Sequence, residues 1–146
     1  MTAFLVDANV MIAATQAGHE HGQRARVDVA GRLARGEEML ISPHALLESY
    51  SVMTRMPLPG RVSPRLAREV LWRDYVVRGR IVGLSPQETV AFLHLAVDRG
   101  AAGGRIYDAV IAEEARMADA DVLLTFNVRH FIGTPGLRVE APAALP

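Results

Sequence analysis

The chain has 146 residues, half of them hydrophobic, with 16 basic and 16 acidic side chains and a formal net charge of zero. That length suits one domain with a real core. The lack of cysteine excludes disulfides and thiolate metal sites, and the balanced charge excludes a basic nucleic-acid coat, leaving at most a local patch.

Taken in chain order, AFLV at residues 3–6 reads as a buried strand ending at the polar turn Asp7-Ala8-Asn9. A short helix starts at Val10 and breaks near Gly18. From His21 to Arg35 the residues Ala25, Val29, Ala30 and Leu33 recur at helical spacing, with Gly36 as C-cap. Met39-Leu40-Ile41 is a second strand, and Ser42-Pro43 opens the helix HALLESYSVMTRM, which ends before Pro57. A loop over residues 57–62 precedes a helix from Ser63-Pro64 to about Val77. Residues 80–84 read as a third strand, and Ser85-Pro86-Gln87-Glu88 as a capped helix start whose helix ends at Gly100. The glycine-rich stretch 100–104 leads into the helix IYDAVIAEEARMADA and the strand VLLTF, with a short last strand at 137–139. Alternating strands and helices predict a single α/β domain over 1–146, with three α/β/α layers and a mostly parallel central sheet. None of the apolar runs reaches the about twenty residues needed to cross a bilayer, and no signal peptide is legible, so a cytoplasmic protein with no membrane partner is expected.

In such sheets chemistry gathers outside the carboxyl ends of the strands. Asp7 follows the first strand, where a helix N-cap is the plain alternative. Glu48 lies in the helix after the second strand and is otherwise an ordinary solvated residue. Asp108 heads the apolar stripe of Ile111, Ala112 and Ala115, or else only complements the helix dipole. Thr125 and Asn127 end the fourth strand, and Asn127 is either a turn residue or a ligand of bound water. The topology sends all of these to one edge. Two carboxylates about 4 Å apart repel by roughly 4 kcal/mol at an effective dielectric near 20, so such a cluster raises its pKa values or recruits a cation. Oxygen-only donors suit Mg²⁺ or Mn²⁺, which polarise a phosphodiester and activate water.

The segments FLVDANVMIAA, PHALLESYSVMTR and GGRIYDAVIAEEARMADADVLLTFNVRHF resemble, in that order, the PIN-domain ribonucleases, and specifically the VapC toxins of bacterial toxin–antitoxin pairs. The resemblance implies a Mg²⁺- or Mn²⁺-dependent endoribonuclease acting on RNA, a homodimer, inhibited by a small cognate VapB-like antitoxin. It places the first three family acids on Asp7, Glu48 and Asp108. The fourth is often Asp in a T-x-D pattern; here it is Asn127, a departure that weakens the case for a second metal. Thr125 matches the family's hydroxyl residue, and Asn9 the usual polar neighbour of the first Asp.

Arg129 and His130 follow the site strand and are candidates for RNA phosphate contact. His19-Glu20-His21 lacks the helical spacing of a metal motif and reads as a solvated loop. His44 and His94 read as structural, Glu113 and Glu114 as a solvated helix face, and Asp119 and Asp121 as turn residues. Leu46, Leu47, Tyr50, Val52, Met53, Trp72 and Val76 read mainly as core. An inhibitory partner is expected to insert an Arg among the acids and lay an apolar segment over Tyr50, Met53 and Trp72. Two rivals remain. A phosphatase of the haloacid dehalogenase type needs a D-x-D nucleophile, where Asp7 is followed by Ala8-Asn9; a non-catalytic binding module with an acidic pocket, like a response regulator, needs a lysine the chain lacks.

Overall fold

The computed structural model describes residues 1–146 and contains a five-stranded, wholly parallel sheet with strand order β3-β2-β1-β4-β5. The strands are β1 (Ala3–Val6), β2 (Glu38–Ile41), β3 (Arg80–Ile81), β4 (Val122–Leu124) and β5 (Arg138–Glu140). The helices are α1 (Ala8–Thr15), α2 (Gly22–Ala34), α3 (Pro43–Arg55), α4 (Pro64–Leu71), α5 (Pro86–Asp98) and α6 (Arg105–Met117). The expected α/β architecture with a parallel sheet is the one found.

The central strands are apolar on both faces because helices cover both sides of a parallel sheet. Phe4, Leu5, Val6, Leu40, Ile41, Leu123 and Leu124 are fully buried in one core cluster. Serines at 42, 63 and 85 each cap a helix and precede a proline in its first turn, as the sequence suggests. The Ser85–Glu88 capping box is present in full. At the β5 edge, buried Arg32 ties α2 to β5 through Asp28, Glu37 and Glu140.

Several boundaries differ from expectation. The first helix begins at Ala8, not Val10, because Asp7 caps it directly. The third strand is two residues, not five: the Val82 N–H makes a last bond to the Ile41 carbonyl. The chain then turns where Gly83 lies so close to Pro43 that a Cβ would stand 3.0 Å from its ring. The helix from Ser63 is α only to Leu71 and widens into one π turn over Trp72–Val76. The fourth strand stops at Leu124: the Thr125 N–H still donates to the Glu140 carbonyl of β5, but the next two backbone N–H groups bond to side chains. The Phe126 N–H donates to Asn9 Oδ1 and the Asn127 N–H to Thr125 Oγ1.

The strand order puts β1 and β4 side by side at the sheet centre, with helices leaving from their carboxyl ends. Val6 pairs with Leu124 in the ladder, so Asp7 and Thr125 are the next residues out on adjacent strands. That register carries them to the same point.

Candidate functional site

Asp7 is both the N-cap of α1 and a buried acid. Its Oδ1 accepts from the Ala8 N–H at 2.7 Å, while its Oδ2 accepts from the Thr125 hydroxyl at 2.7 Å and from Asn9 Nδ2 at 3.3 Å. The capping role and a functional role are therefore compatible. Burial pushes the Asp7 carboxyl above its ordinary range, against the bonds from Thr125 and Ala8, and the charges of Asp108 and Glu48 push it further up. Asp108 and Glu48, more than forty positions from Asp7 and from each other in sequence, thus lie within electrostatic reach of it.

Thr125 is completely buried and serves as the hub. Besides donating to Asp7, its oxygen accepts from Asn9 Nδ2 at 3.1 Å and from the Asn127 N–H at 3.0 Å. Asn9 spends its whole amide in the same knot, its Oδ1 taking the Phe126 N–H at 3.1 Å. Both residues, expected to meet substrate or water, are turned inward and fix the Asp7 carboxylate. Asn127 is exposed at the start of a 3₁₀ turn over Val128–Phe131.

Asp108 sits in the first turn of α6, where the helix dipole favours its charge. It is partly exposed, and its Oδ2 lies 3.0 Å from His130 Nδ1. Glu48, on α3, is about half exposed and meets His44 Nε2 at 3.5 Å, one helical turn back. His44 in turn stacks flat on Tyr107, with ring centroids 4.7 Å apart. The histidine expected to be structural thus links α3 to the residue beside Asp108. Arg129 and His130 are exposed on the 3₁₀ turn that follows β4.

The donor chemistry of the cluster fits a hard divalent cation: three carboxylates, no sulfur, and one of them held in a buried place where a counter-charge would relieve it. No three His, Asp or Glu side chains stand close enough together to form a ready cage. Asp108 is turned to His130 and Glu48 to His44, while Asp7 is held by three hydrogen bonds.

Several expectations away from the cluster are corrected. Glu113 and Glu114 are 5% and 6% exposed, not a solvated face. Glu113 is held below the usual carboxylate range by Arg116 and, more weakly, by Arg99. Glu114 is pushed up by burial, partly countered by the Ser42 hydroxyl and His44, and its Oε2 has no partner. The apolar pattern around them hid this, because α6 buries more of its girth than one stripe. His21 is not simply solvated: it stacks on Phe126 at 5.0 Å. Asp121 is more than a turn residue, since its Oδ2 accepts from the Ala3 N–H at 2.8 Å. Met53 is fully buried, so it belongs to the core and not to a partner surface. Leu47, Tyr50 and Trp72 are exposed beside an open apolar groove of about 760 Å³ floored by Leu71.

A buried acid with a raised pKa binds its proton more tightly folded than unfolded, so the stability that Glu114 leaves to the fold falls as pH climbs from about 4.5 through the raised value. Glu114→Gln is therefore expected to raise the melting temperature by several degrees at about pH 7, the effect of roughly 1–2 kcal/mol. The gain should vanish at about pH 4, where both forms are neutral. Thermal melts at the two pH values check this; an equal gain at both would show that charge is not the cause.

A family described as PIN domain matches residues 4–135. Among curated relatives, Ribonuclease VapC40 of Mycobacterium tuberculosis (strain CDC 1551 / Oshkosh) is 31% identical over 134 residues, covering 92% of this chain and 93% of that protein. VapBC2 from Rickettsia felis, solved bound to a DNA fragment from its promoter, superposes with a TM-score of 0.69 at 20% identity, over 96% of this chain and 98% of that one. M. tuberculosis VapC20, described as a sarcin–ricin loop cleaving toxin, gives 0.67 at 17% identity, over 92% and 98%. DNA-bound VapBC from Salmonella typhimurium gives 0.68 at 22% identity, over 98% and 100%. At such identities the solved structures establish the fold.

Proposed function

This chain belongs to the PIN domain family, and from that premise we propose that it is the endoribonuclease toxin of a toxin–antitoxin pair, hydrolysing RNA phosphodiesters with Mg²⁺ or Mn²⁺. The observation that carries the reading is the convergence of Asp7, Glu48 and Asp108, with Asp7 pinned by Thr125 and under the charge of the other two. A ribonuclease relative of nearly the same length supports it.

Asp7, Glu48 and Asp108 would hold the cation, which supplies charge neutralisation at the phosphate and a lowered pKa for water. The protein's own part is positional. Thr125 and Asn9 hold Oδ2 of Asp7 and the Ala8 N–H holds Oδ1, so one carboxylate is set before any ligand arrives. His130 and His44 contact Asp108 and Glu48 and would orient these two carboxylates in the absence of a cation. Asn127, exposed and bonded through its N–H to Thr125, is a neutral group where the family often has an acid, and it would orient water or phosphate. Arg129, beside it, adds a cationic contact for the RNA backbone. No side chain here is paired with a base as a nucleophile: the Ser49 hydroxyl is buried and donates to the Ala45 carbonyl.

The antitoxin reading extends to the surface. A small partner with an apolar segment fits the groove beside Leu47, Tyr50 and Trp72, and an arginine reaching the acids would occupy the place of the cation. The homodimer and the cytoplasmic setting belong to the same proposal. No helix is long and apolar enough to cross a membrane.

The test is direct. Purified protein incubated with structured and single-stranded RNA should cut internally when Mg²⁺ or Mn²⁺ is added and should be silent in EDTA. Cleavage that persists in EDTA, or none with either ion, overturns the reading.

A further inference from the structure

A second cavity opens beside the acids. It has a volume of about 700 Å³ and lies between the α5–α6 loop, α6 and the segment after β4. Asp108 stands on its wall, while Asp7 and Glu48 do not, so it adjoins the proposed reaction site at Asp108 alone. The lining holds four arginines, Arg99, Arg105, Arg116 and Arg129, against two carboxylates, Asp108 and Glu113. In a chain of zero net charge that is a concentration of positive charge in one concave place.

The arginines are of two kinds. Glu113 is buried at the cavity floor and bonds Arg116 twice, at 2.7 and 3.1 Å, while Arg99 approaches it at 3.6 Å. One carboxylate thereby fixes two guanidiniums from different helices and neutralises only half their charge. Arg105, at the start of α6, and Arg129, on the turn after β4, are exposed, and neither is ion-paired; the only carboxylates on this wall are engaged by Arg99, Arg116 and His130. Both line the same cavity as Asp108. Ala109, Ala112 and Ile132 supply apolar lining between the charges.

We propose that this cavity seats the nucleotide next to the scissile phosphate, with Arg105 and Arg129 binding its phosphate and the Glu113-braced pair forming the far wall. The proposal rests on the ribonuclease reading and adds to it the direction in which the RNA leaves Asp108. The size lies within the about 300–1,000 Å³ usual for ligand clefts. The mixed lining suits a nucleotide, which presents an anion at one end and a flat apolar ring at the other. A free phosphate would need no such room.

The test compares the parental protein with the Arg105→Ala/Arg129→Ala double variant and an Arg65→Ala control, on the exposed face of α4 outside the cavity. Two quantities are read: KM and kcat for cleavage of a single-stranded RNA of about ten nucleotides with Mn²⁺, and the salt dependence of KM. We expect KM to rise roughly tenfold in the double variant, with kcat within about threefold of parental. The slope of log KM against log salt should become shallower by about 0.7 for each lost phosphate contact. The control should change neither. A double variant with parental KM and slope overturns the proposal while the ribonuclease reading stands. If that variant also escapes inhibition by the cognate partner protein, the cavity belongs to protein recognition instead. A parental protein that cuts no RNA removes the ribonuclease reading and this subsite together.

Discussion

Asp108→Asn is expected to reduce RNA cleavage by about a thousandfold or more, about 4 kcal/mol of transition-state stabilisation, while the protein stays folded. The position separates function from structure better than Asp7 does. Asp7 caps α1 and is enclosed by three hydrogen bonds, so a change there alters the helix start as well as the charge. Asp108 is partly exposed, is no N-cap, and has His130 as its one side-chain partner. Asparagine keeps the shape and a hydrogen-bonding oxygen for His130 but loses the negative charge a divalent cation requires. Stability should move by no more than about 0.5 kcal/mol, as for other surface changes. It should tend upward without divalent ions, because the field that Asp108 exerts on Asp7 is removed. The check is cleavage in saturating Mg²⁺ together with a thermal melt in EDTA. A folded variant that cuts at the parental rate would remove Asp108 from the site.

Thr125→Val should be the most damaging single-atom change in the chain. Valine fills the same volume in a fully buried place, so no cavity forms and the loss is that of one hydroxyl. That hydroxyl donates to the Asp7 carboxylate and accepts from Asn9 and from the Asn127 backbone. Its removal strips a charge-assisted bond and leaves the Asn127 N–H without its partner. We expect a cost of about 2–3 kcal/mol, or roughly 5–10 °C in Tm. The bond from Thr125 is one of those that lower the Asp7 pKa, so without it the carboxyl is driven higher still. Destabilisation should therefore grow as pH rises above the ordinary carboxylate range, and be larger at about pH 7 than at about pH 4. Cleavage should need more Mn²⁺ to reach its plateau, and Thr125→Ser should restore both properties. Melts at the two pH values and a Mn²⁺ titration decide the matter; a valine variant with parental Tm and parental metal demand would reduce Thr125 to a packing residue.

The chain's local patterns were enough for its architecture. Short apolar runs, serine–proline helix starts and helical spacing are properties of neighbouring residues, and they carry the strand and helix order directly into a parallel sheet. The order also placed Asp7, Thr125 and Asn127 at strand ends, and the ordered motifs pointed to the family. What the sequence by itself did not determine is where the polar side chains spend their hydrogen bonds. Thr125 and Asn9 are separated by 116 positions, yet the parallel pairing of β1 with β4 turns them onto each other and onto Asp7. Glu113 and Glu114 look like a solvated pair until α6 is packed, when one meets arginines and the other is left under α3 with an unpaired oxygen. Met53 reads like its exposed neighbour Tyr50 until α3 is packed against α1 and α4. The same packing gathers Arg99, Arg105, Arg116 and Arg129 from three segments into one cavity, a concentration of charge that no composition count reveals. Secondary structure is written in contacts three or four residues apart, whereas burial, charge pairing and pKa depend on which distant segments the sheet brings within hydrogen-bonding reach.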